Sequence, residues 1–273
     1  MESKDRQETW EQTNSLLLLG IVDLLEEKGL LDKDGFLERL AAFKDESIDI
    51  GLFRNTEDEL RGDAGYHCGG QQATVRMAAR IGLSSGDLLL DAGCGAGGPA
   101  RHLAEAWGCS VVGLDREYDR LLIATIRTRL MGLLDKVRFK YGDAAEMPFE
   151  DHSFDVVWSQ GALPFTGDVK KIFQECYRVL RTDGRLAVQT SFCTARHTAE
   201  DDRRHPDFLP IGPRNYLEPT LDCLKNVGFD RVESEWVEES VAFYSERYPK
   251  AAAWFRDRKY GSYMVTAKKS EHS

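Results

Sequence analysis

The chain has 273 residues, with 36 Lys plus Arg against 46 Asp plus Glu and a formal net charge of −10, a balance that argues against nucleic acid as a partner. Its 42% hydrophobic and 10% aromatic residues supply a packed core and exclude a disordered chain. The longest apolar run, Leu16 to Val22, is interrupted by Gly20 and falls short of the roughly 18 residues a membrane span needs. The first ten residues, MESKDRQETW, carry no basic region followed by an apolar stretch and a small-residue cleavage site, so the expectation is a cytoplasmic protein. Six cysteines without a C-x-x-C pair read as free, mostly buried thiols. No His and carboxylate trio has metal-ligand spacing, so no metal is expected.

From Glu11 to Lys28 the apolar positions Leu17, Ile21, Leu24 and Leu25 fall at helical spacing, and Gly29 sits where a helix would end. After a turn at Asp32 to Gly35, Phe36, Leu40 and Phe43 restart the stripe. Residues 1–62 therefore read as an N-terminal helical appendage. Its apolar stripe could dock on the main domain, form a homodimer or help cover a ligand.

Residues 63–273 read as the main domain. Short apolar runs at 87–90, 110–114, 137–141, 154–158 and 184–188 alternate with amphipathic stretches at 100–107, 117–131 and 169–180. Mostly apolar strands separated by helices predict an α/β fold, a doubly wound, mostly parallel Rossmann-like sheet. Two later alternating runs, 231–238 and 261–268, are candidates to extend it. Ligands of such sheets bind beyond the carboxyl ends of the strands.

The first strand runs into Asp91-Ala92-Gly93-Cys94-Gly95-Ala96-Gly97-Gly98, with Pro99 placed for the first turn of a helix. Gly93, Gly95 and Gly97 permit positive φ and a close backbone approach to a ligand. Gly93, Gly95 and Gly98 also spell the dinucleotide pattern G-x-G-x-x-G. Asp91 precedes the glycines, Asp115 closes the second strand and Asp143 follows the third. A carboxylate after the second strand can accept both ribose hydroxyl hydrogens of NAD or of S-adenosylmethionine alike. One after the third can accept from an adenine amine. An acid beside the glycine loop suits an ammonium better than a pyrophosphate. Each alone could be a cap or turn residue; together, in order, they outline an adenosine site.

With these motifs the sequence resembles the class I S-adenosylmethionine-dependent methyltransferases over roughly residues 66–192. The resemblance rests on LLDAGCGAGG at 89–98, VVGLD at 111–115, GDAAEMPF at 142–149, SFDVVWS at 153–159 and YRVLRTDGRL at 177–186. YHCGGQQAT at 66–74 is similar to a stretch that small-molecule members place before the first strand; these include sarcosine/dimethylglycine, phosphoethanolamine and quinone methyltransferases. The resemblance implies that Gly93, Gly95 and Gly97 line the methionine end, Asp115 holds the ribose, and Asp143 with Ala144 holds the adenine. Arg116 would lie against the adenine face. Ser159 and Gln160, after the fourth strand, would border the methionine and the methyl group, and Tyr66, Cys68 and Gly69 would reach the cofactor from the N-terminal side. Cys94 reads as packing.

Methyl transfer needs an acceptor held close and in line, and a base only if the attacking atom must lose a proton. Family members that use a catalytic His place it shortly after the fourth strand, where this chain reads Gly161-Ala162-Leu163-Pro164-Phe165-Thr166. His67, with Tyr66 beside it, is the remaining candidate. His197 and His205 belong to a polar stretch that reads as a loop over the strand ends. Phe192, Phe208, Tyr216, Trp236, Phe243, Tyr244 and Trp254 are either core or an acceptor-pocket wall suited to a flat, hydrophobic or cationic amine substrate. The first expectation is transfer of a methyl group to a small-molecule acceptor, an amine or a quinone- or lipid-like carbon or oxygen. An NAD-dependent oxidoreductase and a non-catalytic S-adenosylmethionine-binding protein are the alternatives.

Overall fold

The computed structural model describes residues 68–163, 168–198, 200, 203, 216–247, 249 and 252–270. The appendage expected over 1–62 lies outside the described residues. The first described element is a helix that the sequence pattern does not announce, α1 (Gly70–Arg80). Then follow β1 (Leu88–Ala92), α2 (Gly98–Trp107), β2 (Ser110–Asp115), α3 (Tyr118–Leu130), β3 (Val137–Tyr141), β4 (Phe154–Gln160), α4 (Val169–Val179) and β5 (Leu180–Cys193). The chain continues through α5 (Leu217–Val227), β6 (Asp230–Trp236), α6 (Glu239–Arg247), α7 (Ala252–Arg256) and β7 (Tyr260–Lys268).

The strands form one seven-stranded sheet in the order β3-β2-β1-β4-β5-β7-β6. β1 to β5 pair in parallel, and β7 inserts antiparallel between β5 and β6. The doubly wound, mostly parallel expectation therefore holds, and both late runs join the sheet. Central strands are buried on both faces, which is why β1 reads Leu-Leu-Leu and β4 reads Phe-Asp-Val-Val-Trp. The edge strands β3 and β6 carry Arg138, Lys140, Glu233 and Glu235, charges that discourage pairing with another chain.

Alternating side chains sort into two core layers. On one face Leu90, Val157, Leu186, Val188 and Phe192 pack with Ile172, Phe173 and Cys176 of α4 and Leu217 and Leu224 of α5. On the other, Leu89, Val111, Val156, Trp158 and Met264 meet Ala73, Met77 and Ala78 of α1 and Ala100, Leu103 and Ala104 of α2. The small residues on α1 and α2 let these helices lie close to the strands. Helix α4 starts where the Asp168 side chain accepts from Lys171 N. Helix α2 starts with Pro99 in its first turn and ends at the left-handed Gly108.

None of the six cysteines is in a disulfide; Cys68, Cys94, Cys109, Cys176 and Cys193 are buried and Cys223 is half-buried. No helix among the described residues is long and apolar enough to cross a membrane.

Gly113 on β2 shows how tightly the site end of the sheet is packed. A Cβ there would sit 2.5 Å from Phe139 and 2.7 Å from Cys94 Sγ. Gly113→Ala is expected to destabilise the protein by about 1–3 kcal/mol in urea unfolding. An unchanged midpoint would show that the Phe139 ring yields freely.

Candidate functional site

Because β1 lies between β2 and β4, the chain leaves β1 and β4 toward opposite sides of the sheet. The crevice that opens between their carboxyl ends is where sheets of this kind hold ligands. The loop from β1 into α2 fills one side of it. Gly93, Gly95 and Gly97 all have positive φ, at 78°, 53° and 77°, as the sequence predicts. Their surroundings differ. A Cβ at Gly93 would lie 2.2 Å from that of Ala162 beyond β4, and one at Gly97 would strike Phe139 at 2.7 Å. At Gly95 the nearest atoms belong to Arg120, 3.9 Å away, so Gly95 is the glycine with room beside it.

The loop is fixed by its backbone. Gly93 N and Cys94 N both donate to Leu114 O, at 2.7 and 3.1 Å, and Gly97 N donates to Cys94 O at 2.9 Å. Arg101, nearly fully buried and not singled out from sequence, donates from Nη1 to Ala96 O at 2.7 Å.

The three carboxylates predicted from sequence stand at the ends of adjacent strands in three different environments. Asp91, on β1, is 1% exposed, and its Oδ2 has no hydrogen-bond partner among the described residues. Burial, reinforced by the nearby Asp115 charge, pushes its carboxyl from the ordinary 3.8 up to about 8. Asp115 is half-buried. Its Oδ2 accepts from Gly95 N at 2.8 Å and its Oδ1 from Glu117 N at 2.9 Å, leaving each oxygen a further lone pair. It thus ties the tip of the glycine loop to the end of β2. Asp143 is exposed and accepts from Ala145 N at 2.8 Å. The turn is joined to its neighbour where Gly142 N donates to Asp115 O. Ala144 is half-buried against the core, and Arg116 is exposed.

Ser159 and Gln160 require a correction. Both were expected after the fourth strand, but β4 runs through Gln160, because each remains paired with β5 at Val188 and Gln189. Ser159 is fully buried and its Oγ accepts from Leu163 N. The Gln160 side chain is engaged by Thr74, Trp158 and Gln189.

Cys68 and Gly69 form the turn into α1, with Gly69 at φ 83°. Burial pushes the Cys68 thiol up to about 12, and it also raises Cys94 well above the ordinary range, so neither is a thiolate nucleophile. Tyr66, His67, His205, Phe208 and residues 164–167 lie outside the described residues.

The aromatic set packs largely on itself. Phe192 and Trp236 meet Tyr263 edge-on, Tyr244 stacks on Phe255, and Trp254 is buried with His197 against its ring. Tyr216 is exposed, at 42%. Sequence reasoning missed Gln189. Nothing distinguishes it from the polar Thr190 and Ser191 that follow it on β5 until its partners are visible.

Residues 90–188 match the family model described as "Methyltransferase domain". The chain is 34% identical over 190 residues to a sterol 24-C-methyltransferase of Eremothecium gossypii, covering 65% of this chain and 49% of that protein. It is 30% identical over 203 residues to a glycine/sarcosine/dimethylglycine N-methyltransferase of Actinopolyspora halophila, covering 74% and 33%. The chain spans about half the length of the sterol methyltransferases it matches. Among solved structures, a geranyl diphosphate C-methyltransferase from Streptomyces coelicolor superposes with a TM-score of 0.63 at 17% identity, covering 72% of this chain and 79% of that one. That likeness concerns the fold.

Asp91 makes stability depend on pH in a defined direction. The unfolded chain releases this proton near pH 3.8, whereas the folded protein keeps it to about pH 8. The neutral carboxyl therefore favours the folded state most at low pH, and the advantage is lost as pH rises through that window. Asp91→Asn, neutral throughout, should gain stability relative to the unsubstituted protein from pH 5 to pH 8, by on the order of 1 kcal/mol per pH unit. Urea unfolding at several pH values measures this; a constant difference would contradict the buried-carboxyl assignment.

Proposed function

We propose that this chain is a class I S-adenosylmethionine-dependent methyltransferase that moves a methyl group from that cofactor to a small-molecule acceptor, a reading supported by the methyltransferase-domain match over residues 90–188 and the likeness to the sterol enzyme. The acceptor is an amine or a quinone- or lipid-like carbon or oxygen. The observation that carries the reading is the ordered set Asp91, Asp115 and Asp143 around the glycine loop, with a buried Asp91 oxygen that has no partner among the described residues. A dinucleotide enzyme has no use for an acid at Asp91, where a pyrophosphate would be repelled.

The residues fit the cofactor. Asp91 faces its ammonium, a cation that supplies the missing hydrogen bond and favours the charged carboxylate. Gly93, Gly95 and Gly97 let the backbone approach the methionine portion. The free lone pairs of Asp115 accept from the ribose hydroxyls, Asp143 and Ala144 border the adenine, and Arg116 lies over its face. Cys68 and Gly69, with Tyr66, complete the site from the turn before α1. When bound, the cofactor supplies a methyl group already activated by a positively charged sulfur. The contribution of the chain is to hold donor and acceptor close and in line, an effect worth about 7–11 kcal/mol. Where the acceptor must lose a proton, His67 with Tyr66 beside it is the base in this reading.

The chemistry of the relatives spans carbon methylation in the sterol enzymes and nitrogen methylation in the glycine/sarcosine enzyme. Both classes of acceptor are small molecules.

Two measurements test the reading. Asp115→Ala removes two charge-assisted hydrogen bonds of about 1.5–3 kcal/mol each and also releases Gly95 from its anchor. Affinity for S-adenosylhomocysteine, read by calorimetry, should fall at least about tenfold. Unchanged affinity would sink the ribose assignment. Labelled methyl supplied on S-adenosylmethionine to a cell extract should enter the polar-metabolite or lipid fraction with the unsubstituted protein and neither with Asp115→Ala. Label confined to protein or nucleic acid would overturn the acceptor class.

A further inference from the structure

One face of the sheet is apolar near its amino end and becomes a connected polar lattice at its carboxyl end. Thr74 Oγ1 of α1 donates to Gln160 Oε1 at 3.0 Å, and Trp158 Nε1 donates to the same oxygen at 3.2 Å. Gln160 Nε2 donates to Gln189 Oε1 at 2.8 Å. Gln189 Nε2 then donates to Cys68 O at 2.5 Å and to Ser262 Oγ at 3.2 Å. All five side chains in this lattice are buried, Gln189 at 1% exposure and Gln160 at 8%.

The direction of the lattice is fixed by chemistry. An indole nitrogen can only donate and a backbone carbonyl can only accept. With Trp158 at one end and Cys68 O at the other, both amides have one orientation available. Neither glutamine has an end turned to a ligand.

The lattice connects the loops of the site. Gln189 O accepts from Gly161 N at 2.8 Å, which fixes the turn after β4. That turn touches the glycine loop, Ala162 lying against Gly93. The Gln189 side chain meanwhile grips the turn before α1. At the other end of the helix, Arg185 Nη1 donates to Ile81 O and Gly82 O, so α1 runs from the carboxyl edge of the sheet back to its amino edge. Its N-terminus, preceded by left-handed Gly69 and without a side-chain cap, is held at the ligand edge by Gln189. The packing there is close, since a Cβ on Gly69 would meet Ala73 at 2.8 Å.

We propose that Gln160 and Gln189 are positioning residues of the cofactor site. The pair holds the Cys68–Gly70 turn against the carboxyl edge of the sheet, in register with the glycine loop, so that the turn's backbone forms one wall of the site. The proposal rests on the methyltransferase reading and assigns to these glutamines no contact with the cofactor.

The test uses the full chain, with S-adenosylhomocysteine as probe and calorimetry as readout. Gln189→Met keeps the side-chain volume and removes every hydrogen bond; its dissociation constant should rise about tenfold. Gln189→Glu makes the clamp titratable. A neutral carboxyl donates to Cys68 O, and a carboxylate faces that carbonyl without a proton to give. Burial favours the neutral form; the groups sharing this face are the Cys68 thiol with Glu239 behind it, whose carboxylate is already paired with Arg76 of α1, and the Tyr244 hydroxyl bonded to Ser191. Relative to the unsubstituted protein at each pH, which divides out Asp91, the Gln189→Glu dissociation constant should be near equal at about pH 5.5 and about tenfold weaker at about pH 8.5. Packing alone would not produce this dependence. If Gln189→Met does not fold, Gln189→Glu carries the test. Unsubstituted affinity in Gln189→Met, or a Gln189→Glu ratio independent of pH, overturns the proposal. Failure of the unsubstituted protein to bind the probe would overturn the methyltransferase reading instead.

Discussion

A carboxyl group enclosed on β1, in the interior of the sheet, with one oxygen that has no partner among the described residues, governs the organisation around it. Asp91 Oδ2 could be relieved by a neighbouring donor, and none of the described residues supplies one. An unsatisfied buried acceptor costs about 1–3 kcal/mol, so the position is retained at a cost that a cationic ligand can offset. The second acid, Asp115, avoids the same penalty by binding two backbone N–H groups. One carboxylate is a latent receptor for charge and the next a structural tie with acceptor capacity to spare.

The loop between them gains its shape from contacts on three sides. Leu114 O receives two of its N–H groups, Ala162 crowds Gly93, and Phe139 crowds Gly97. Only backbone fits at Gly93 and Gly97, so their lack of side chains is a packing requirement. Gly95, with space beside it, is set apart from the other two by its surroundings, although all three share a positive φ. Beneath this loop the polar lattice around Gln189 joins α1 to β4, β5 and β7. The loops that wall the crevice thus depend on one another through buried hydrogen bonds, which rigidify a site when every member is satisfied.

Much of this was legible in the sequence for a physical reason. Central parallel strands are apolar on both faces and stand out between helices of 3.6-residue period, so β1, β2, β4 and the core of β5 can be read directly. The three acids and the glycines were legible because chemistry restricts which residues can stand there. Helix α1 escaped because its buried face is made of Ala73, Met77 and Ala78, a weak apolar stripe, and because Gly69-Gly70 reads as a turn. The insertion of β7 between β5 and β6 could not be read, since adjacency of non-consecutive strands leaves no local trace. Gln160 illustrates the limit most clearly. Its position at the end of β4 was visible, but whether its amide faces a ligand or a partner depends on Gln189 and Thr74, which are far from it in sequence.

The distribution of thiols gives the protein an unplanned practical property. Five cysteines are buried, and burial holds the thiols of Cys68, Cys94, Cys109 and Cys176 protonated; Cys223 on α5 is half-buried, and desolvation raises its thiol too. Helix α5 packs on the face of the sheet opposite α1. A thiol-reactive dye added to the folded protein therefore meets Cys223 before the five buried cysteines. The native chain carries its own address for a single fluorophore, and the appearance of further reactive thiols would report the opening of the core.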